Sequence, residues 1–209
     1  NELYKYATEE QDTKIRRSML AGESLPEHCQ SCYKLEDKGI ISARQEETAE
    51  WAMRLNLKTV DDLGSLIEPV YYEVRPSNTC NLMCRMCVPM FSSLIEKEQK
   101  QLGKIPQEYV QQYSNFDIVK IENIMKLYVA GGEPTAMPEF YVFLKKCVRK
   151  KYTDFEFIVN TNAMKVSALL LELGSHFKNL QYIISIDGYK KHNDYSRWRS
   201  KRDKIINNA

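Results

Sequence analysis

The sequence predicts an α/β fold built on a parallel sheet, and three observations carry that prediction. Short segments rich in Val, Ile and Tyr alternate with helix-patterned segments over the last two thirds of the chain. That alternation is the pattern of parallel strands joined by right-handed crossovers. Each strand-like segment also runs at once into a distinctive loop: RPSNTCNLMC, GGEP, NTN or SIDG. In parallel α/β folds those carboxyl ends are where ligands sit, so the chemically distinctive residues all fall on one edge.

In chain order, VYYEV (Val70–Val74) predicts the first strand, leading through Pro76 into a cysteine-rich loop. Ser92–Lys100 and Gln107–Tyr113 are helical in character around Gly103 and Pro106. IMKLYVAGGEP (Ile124–Pro134) predicts a strand ending in a double glycine. Glu139–Lys151 carries apolar residues at Phe140, Phe143, Leu144, Cys147 and Val148, the spacing of an amphipathic helix with Cys147 in its core face. Phe155–Ala163 predicts a third strand, Lys165–Gly174 a helix stopped by its glycine, and Leu180–Gly188 a fourth strand. SKRDKIINN begins a further helix. Upstream, residues 1 to about 55 read as polar and helical, with turns at AGESLPEHC and EDKGI and a helix over Glu46–Leu57. Asp61–Pro69 reads as a connector between an amino-terminal segment, 1–60, and a main domain, 68–209.

Composition narrows the function classes. The 209 residues are 43% hydrophobic and 28% charged, the balance of a folded chain. Thirty Lys and Arg against 28 Asp and Glu give no global electrostatic case for nucleic acid or membrane. No apolar run approaches the roughly 18 residues of a membrane span, and the polar, acidic start NELYKYATEE does not have the pattern of a signal peptide. The basic stretches KKCVRKKY and KKHNDYSRWRSKRDK invite an RNA reading. Lysines on an outer helix face are ordinarily just solvated, so nucleic acid is not the expected partner. Five of the six cysteines fall in two tight clusters, HCQSC and TCNLMCRMC. Such spacing belongs to metal or redox sites in a reducing compartment rather than to disulfides, which implies a cytoplasmic protein that binds iron or zinc.

The trio Cys80, Cys84 and Cys87 is one ligand short of a closed zinc site, and an open metal position is what catalysis requires. The spacing C-x3-C-x2-C resembles the signature of the radical S-adenosylmethionine (radical SAM) enzymes. The resemblance implies a partial parallel (β/α) barrel, of which about four βα units are visible here. It implies a 4Fe–4S cluster on Cys80, Cys84 and Cys87, whose fourth iron binds S-adenosylmethionine. GGEP resembles the family motif at the cofactor's methionine end, which implies cofactor contacts by Gly131, Gly132 and Glu133. Glycine there lets backbone approach a ligand that a Cβ would obstruct. NTN makes Asn160 and Asn162 candidates for ribose or substrate contact. SIDG resembles the family's fourth-strand segment, which implies a cofactor contact by Ser185 with Asp187 nearby, and HNDYSRW resembles the stretch whose arginine, here Arg197, reaches the carboxylate. Met86 stands where the family usually has an aromatic residue and would pack on adenine through its thioether. The resemblance covers roughly residues 68–209.

Met19–Glu47 resembles the region around a late cysteine pair in twitch and SPASM modules, the auxiliary-cluster appendages of peptide-modifying radical SAM enzymes. It implies that Cys29 and Cys32, with His28 adjacent, hold an auxiliary iron–sulfur cluster or zinc. A twitch segment before the core also occurs in small radical SAM proteins that are often phage-encoded, for which the compartment is the host cytoplasm. The implied activity is reductive cleavage of S-adenosylmethionine to a 5′-deoxyadenosyl radical that takes hydrogen from a substrate, a peptide by this resemblance. The electron donor is a reductase such as flavodoxin or ferredoxin. RNA or nucleotide modification is the rival within the enzyme class, and a non-catalytic metal-binding interaction module is the alternative outside it. The family core has six βα units, and the chain has no initiating Met. We therefore expect a segment of a longer protein, or a partner that closes the sheet.

Overall fold

The computed structural model describes residues 15, 17–19, 21–23, 26–58, 68–109, 113 and 115–209. The expected connector falls mostly outside them, as do the first 14 residues. The chain divides into two compact units, Asn1–Glu68 and Pro69–Ala209.

In the first unit, helix α1 spans Pro26–Glu36 and helix α2 spans Ala43–Arg54. Of the turn expected across AGESLPEHC, Ala21–Gly22 turn, residues 24–25 lie outside the described residues, and Pro26 opens α1. Proline suits a first helical turn, where its missing N–H has no partner to lose. The turn expected at EDKGI is present, and Gly39 takes φ +73° in it. Helix α2 starts three residues earlier than the hydrophobic pattern indicates, because Ser42 and Gln45 form a capping box. Fully buried Ser42 also donates to Glu36 Oε1 at 2.5 Å, which joins the two helices.

The second unit is a four-stranded parallel sheet in the order β1-β3-β4-β5: β1 Tyr71–Val74, β3 Lys126–Val129, β4 Glu156–Thr161 and β5 Asn179–Ile184. A separate ribbon pairs β2, Met83–Cys84, antiparallel with β6, Arg197–Trp198. The helices are α3 Ser93–Gln101, α4 Pro138–Lys150, α5 Ala168–Gly174, α6 Lys191–Ser196 and α7 Arg202–Asn208. All four expected strands occur, shorter than the apolar runs that announced them. The segment 107–109 is turn rather than helix, and the rest of that expected helix falls largely outside the described residues. Among the described residues the sheet is open, with edges at β1 and β5.

Burial alternates along the central strands. Leu127, Val129, Phe157 and Val159 are fully buried, while Lys126, Tyr128, Glu156 and Ile158 between them are only partly so. The buried row packs with Phe140, Phe143, Leu144 and Cys147 of α4 and Leu170 and Leu173 of α5 in one core. Each such side chain contributes about 1.5–3 kcal/mol on burial, so the face toward α4 and α5 holds the sheet together. Across the other face Lys126 and Glu156, neighbours in register, form an ion pair at 3.6 Å. Gly174 does not stop α5 by a left-handed turn. It is buried, and a Cβ there would meet Leu180 Cδ2 at 3.1 Å and the Tyr182 hydroxyl at 3.2 Å, so close packing on β5 explains it. Among the described residues no helix is long and apolar enough to cross a membrane.

Candidate functional site

The chain leaves β1 at Val74 and cannot continue it past Pro76, which has no ladder N–H to give. The loop that follows is pinned from three sides. Beneath it, Gly132 N donates to Ser77 O at 3.1 Å and Glu133 N to Thr79 O at 2.8 Å. A Cβ on Gly132 would stand 2.2 Å from Thr79 O and 2.6 Å from Asn78 C, and one on Gly131 would stand 2.9 Å from Ser77 O. The backbone of the cysteine loop itself thus requires glycine at both positions. Beside it, Asn78 Nδ2 donates to Pro89 O at 2.9 Å and to Glu96 Oε2 at 2.5 Å. The buried Ser92 hydroxyl donates to Leu82 O at 3.0 Å and caps α3 by accepting from Ile95 N. From the far end of the chain, the ribbon sets Cys84 opposite Arg197. Arg85 N donates to Ser196 O at 2.8 Å, and Arg85 Nε donates to Tyr195 O at 3.0 Å.

The result is a cavity of about 240 Å³ at the carboxyl edge of the sheet. Cys80, Cys84, Cys87, Met86, Gly131, Gly132, Glu133, Asn160, Asn162, Ser185 and Arg197 all line it. Of the residues predicted from the sequence for the main site, Asp187 alone is outside the lining. It backs Arg197 instead: Nε lies 2.6 Å from Asp187 Oδ2 as an ion pair, and Nη2 donates to Oδ1 at 3.2 Å.

Glu133 is 1% exposed, which excludes a solvated loop charge. Its Oε1 accepts from Thr135 N at 3.1 Å, Thr135 Oγ1 at 2.7 Å and Thr161 Oγ1 at 2.6 Å, and its Oε2 accepts from Asn162 N at 2.7 Å. The carboxylate therefore ties the end of β3 to the end of β4. Asn162 has both ends of its amide engaged, Nδ2 donating to Asn81 Oδ1 at 2.8 Å and Oδ1 accepting from Met164 N at 3.0 Å. Asn160 Oδ1 accepts from the Ser185 hydroxyl at 3.1 Å, and both residues line the cavity. Met86 is 58% exposed at the rim.

The three thiols are free and half-buried. Burial pushes Cys80 up to about 11, with Glu133 and the other two cysteines adding to the rise. Burial likewise raises Cys84 and Cys87, opposed at both by the Arg197 guanidinium. Among the described residues no group of three or more His, Cys, Asp or Glu side chains is gathered tightly enough to hold a single metal ion. Three thiols spread around one cavity, with no imidazole or uncommitted carboxylate beside them, fit the thiolate donor set of a polynuclear iron–sulfur cluster. Their raised proton affinity means that a cationic group must displace the protons for thiolates to persist near neutral pH.

Sequence reasoning missed Thr161, Asn81 and Asn193. Thr161 sat unremarked between two named asparagines, although period-two alternation points it to the face opposite theirs. Asn193, fully buried, accepts from Asp187 N at 3.1 Å and donates to Ser200 Oγ at 3.1 Å, so it shapes the segment that presents Arg197. In the other unit, Cys29 and Cys32 both lie on α1, one turn apart, and Cys32 is free and half-buried. The Cys29 and His28 side chains fall outside the described residues.

No protein-family model and no curated protein matches the sequence. Among solved structures, the chain is similar to Streptococcus suis SuiB bound to precursor peptide SuiA. The TM-score is 0.49 and the identity 17%, over 88% of this chain and 41% of that one. It is also similar to Streptococcus suis SuiB bound to S-adenosylmethionine, with a TM-score of 0.45 and 19% identity over 78% of this chain and 34% of that one. The chain thus spans well under half the length of the SuiB chains it resembles.

Proposed function

We propose that the second unit is the core of a radical SAM enzyme, with a 4Fe–4S cluster on Cys80, Cys84 and Cys87 and S-adenosylmethionine in the adjoining cavity. The observation that carries this reading is the convergence on one cavity of residues from four strand ends and a remote helix–ribbon segment. Once bound, cluster and cofactor would supply reductive cleavage to methionine and a 5′-deoxyadenosyl radical for hydrogen abstraction.

The chain's own residues supply placement. Arg197, held by Asp187, offers a fixed cation to the cofactor's carboxylate. The Asn160 amide and the Ser185 hydroxyl offer hydrogen bonds to the ribose region. Met86 and Phe91 give apolar surface for the adenine. Glu133 lines the same cavity and fixes Asn162 and Thr161 beside it. The substrate class is a peptide, as the resemblance of the amino-terminal segment implies. Cys29 and Cys32 belong to that segment and would hold an auxiliary cluster or zinc.

Anaerobic reconstitution with iron and sulfide, followed by dithionite and S-adenosylmethionine, tests the reading. We expect bound iron with acid-labile sulfide, and 5′-deoxyadenosine well above a Cys84→Ala control. Zinc without sulfide, or product no greater than the control, overturns it in favour of a non-catalytic metal-binding module.

A further inference from the structure

Arg197 reaches the cavity from an excursion of the chain that leaves the end of β5 and returns as the ribbon strand β6. Its guanidinium is gripped by Asp187, near the start of that excursion. An ion pair between two partly exposed side chains contributes little unless its backbone is already in place. The grip therefore holds Arg197 still only if the two ends of the excursion are fixed to one another.

Asn193, within α6, joins them. It is fully buried, and its Oδ1 accepts from Asp187 N at 3.1 Å at the near end. At the far end its Nδ2 donates to Ser200 Oγ at 3.1 Å, and it also donates to Asp194 Oδ1 at 3.4 Å. Asp194 Oδ1 accepts in turn from Ser200 Oγ at 3.1 Å and from Arg202 N at 2.7 Å, so the same network reaches the start of α7. Helix α6 lies close on the turn after Asp187: a Cβ on Gly188 would meet His192 Cβ at 3.1 Å and Asn193 N at 3.3 Å. The backbone on either side is strained, with φ +48° at Lys190 and +76° at Arg199. Non-glycine residues persist in that region only where their surroundings enforce it. A buried amide bonded at both ends is such an enforcement, since none of its partners has water to turn to.

We infer that Asn193 is a positioning residue which, through Asp187 and Arg197, makes the cavity select a ligand that carries a carboxylate. The inference rests on the cofactor reading proposed above and deepens it. Asn193 itself lies outside the cavity lining. A guanidinium already held in place makes charge-assisted hydrogen bonds to a carboxylate at once, whereas a loose one must first be ordered.

Calorimetry on reconstituted, oxidised protein compares S-adenosylmethionine with its decarboxylated counterpart. The proteins are wild type, Asn193→Ala, Ser200→Ala, Arg197→Lys, the double variant Asn193→Ala/Arg197→Lys, and Ser167→Ala as a control at the cap of α5. In metal-free protein, NMR follows exchange with water of the Arg197 Nε–H proton, assigned by its absence from Arg197→Lys. We expect Asn193→Ala to lower the preference for the carboxylate form at least about fivefold, with affinity for the decarboxylated form within about twofold of wild type. The same substitution should lower the preference no further in Arg197→Lys, because both act on one contact. The Arg197 proton should exchange at least about tenfold faster in Asn193→Ala, and Ser167→Ala should move neither readout. Ser200→Ala removes one partner of the amide and should move both readouts less, in the same direction; it decides the matter if Asn193→Ala does not fold. An unchanged preference, equal weakening of both ligands or an unchanged Arg197 proton overturns the inference. Failure to incorporate iron, or wild type that binds neither ligand or both alike, overturns the cofactor reading instead. The Arg197 proton then still decides whether Asn193 fixes the guanidinium.

Discussion

Glu133 is a carboxylate removed from water and given four donors in return, two of them backbone amides. Such a group is stable only while every donor finds an oxygen. In Glu133→Gln an amide NH2 must face either Asn162 N or the trio from Thr135 and Thr161, and one donor loses its acceptor. We expect a loss of about 2 kcal/mol, read as a lower urea midpoint with an unchanged m-value. Thr161→Val should cost about 1 kcal/mol alone and about as much again on top of Glu133→Gln, because the amide oxygen that turns to the trio keeps the Thr161 bond. The sequence made the location of this residue legible but not its task. GGEP at a strand end marks a ligand edge, and only the partner distances show the side chain occupied by its own fold. The glycines beside it were legible for the absence of Cβ, and the cysteine loop that passes over them was not. A loop crossing overhead leaves no trace in local sequence.

At the scale of elements, period and punctuation carried the main unit. Alternating burial in β3 and β4 and the 3.6-residue stripe of α4 both stood in the residues, because one side of each faces a single core. The β2–β6 ribbon did not. Two-residue strands have no period to read, and their partners lie at opposite ends of the unit. Helix α3 shows how an element can serve a site it does not enter. Its cap, Ser92, is fully buried and holds both Ile95 N and Leu82 O, so the helix start and the cysteine loop share one hydroxyl. Ser92→Ala should cost about 1–2 kcal/mol. It should also lower iron uptake on reconstitution, measured as iron per chain, whereas Ser167→Ala, which removes the cap of α5, should cost about 1 kcal/mol and leave uptake unchanged.

For the molecule as a whole, the unbalanced feature is β5. Among the described residues it pairs with β4 alone, and Tyr182, Ile183 and Ile186 along it and just beyond are 37%, 48% and 41% exposed. An uncovered apolar edge is a template for other strands. Ile183→Lys should therefore reduce concentration-dependent light scattering while changing Tm little, since Ile183 contributes little to the core. The ribbon has a consequence in time rather than in space. Arg85 meets Tyr195 across 110 positions of sequence, and nothing local brings the two ends together. Closing so wide a loop is favourable only after the intervening sheet and helices have shortened it. During synthesis the arginine leaves the ribosome well after the cysteines that it faces. The thiols therefore wait, unpaired with their cation, until the whole intervening sheet has been made, and an iron-loading machinery that acts earlier would meet cysteines without it.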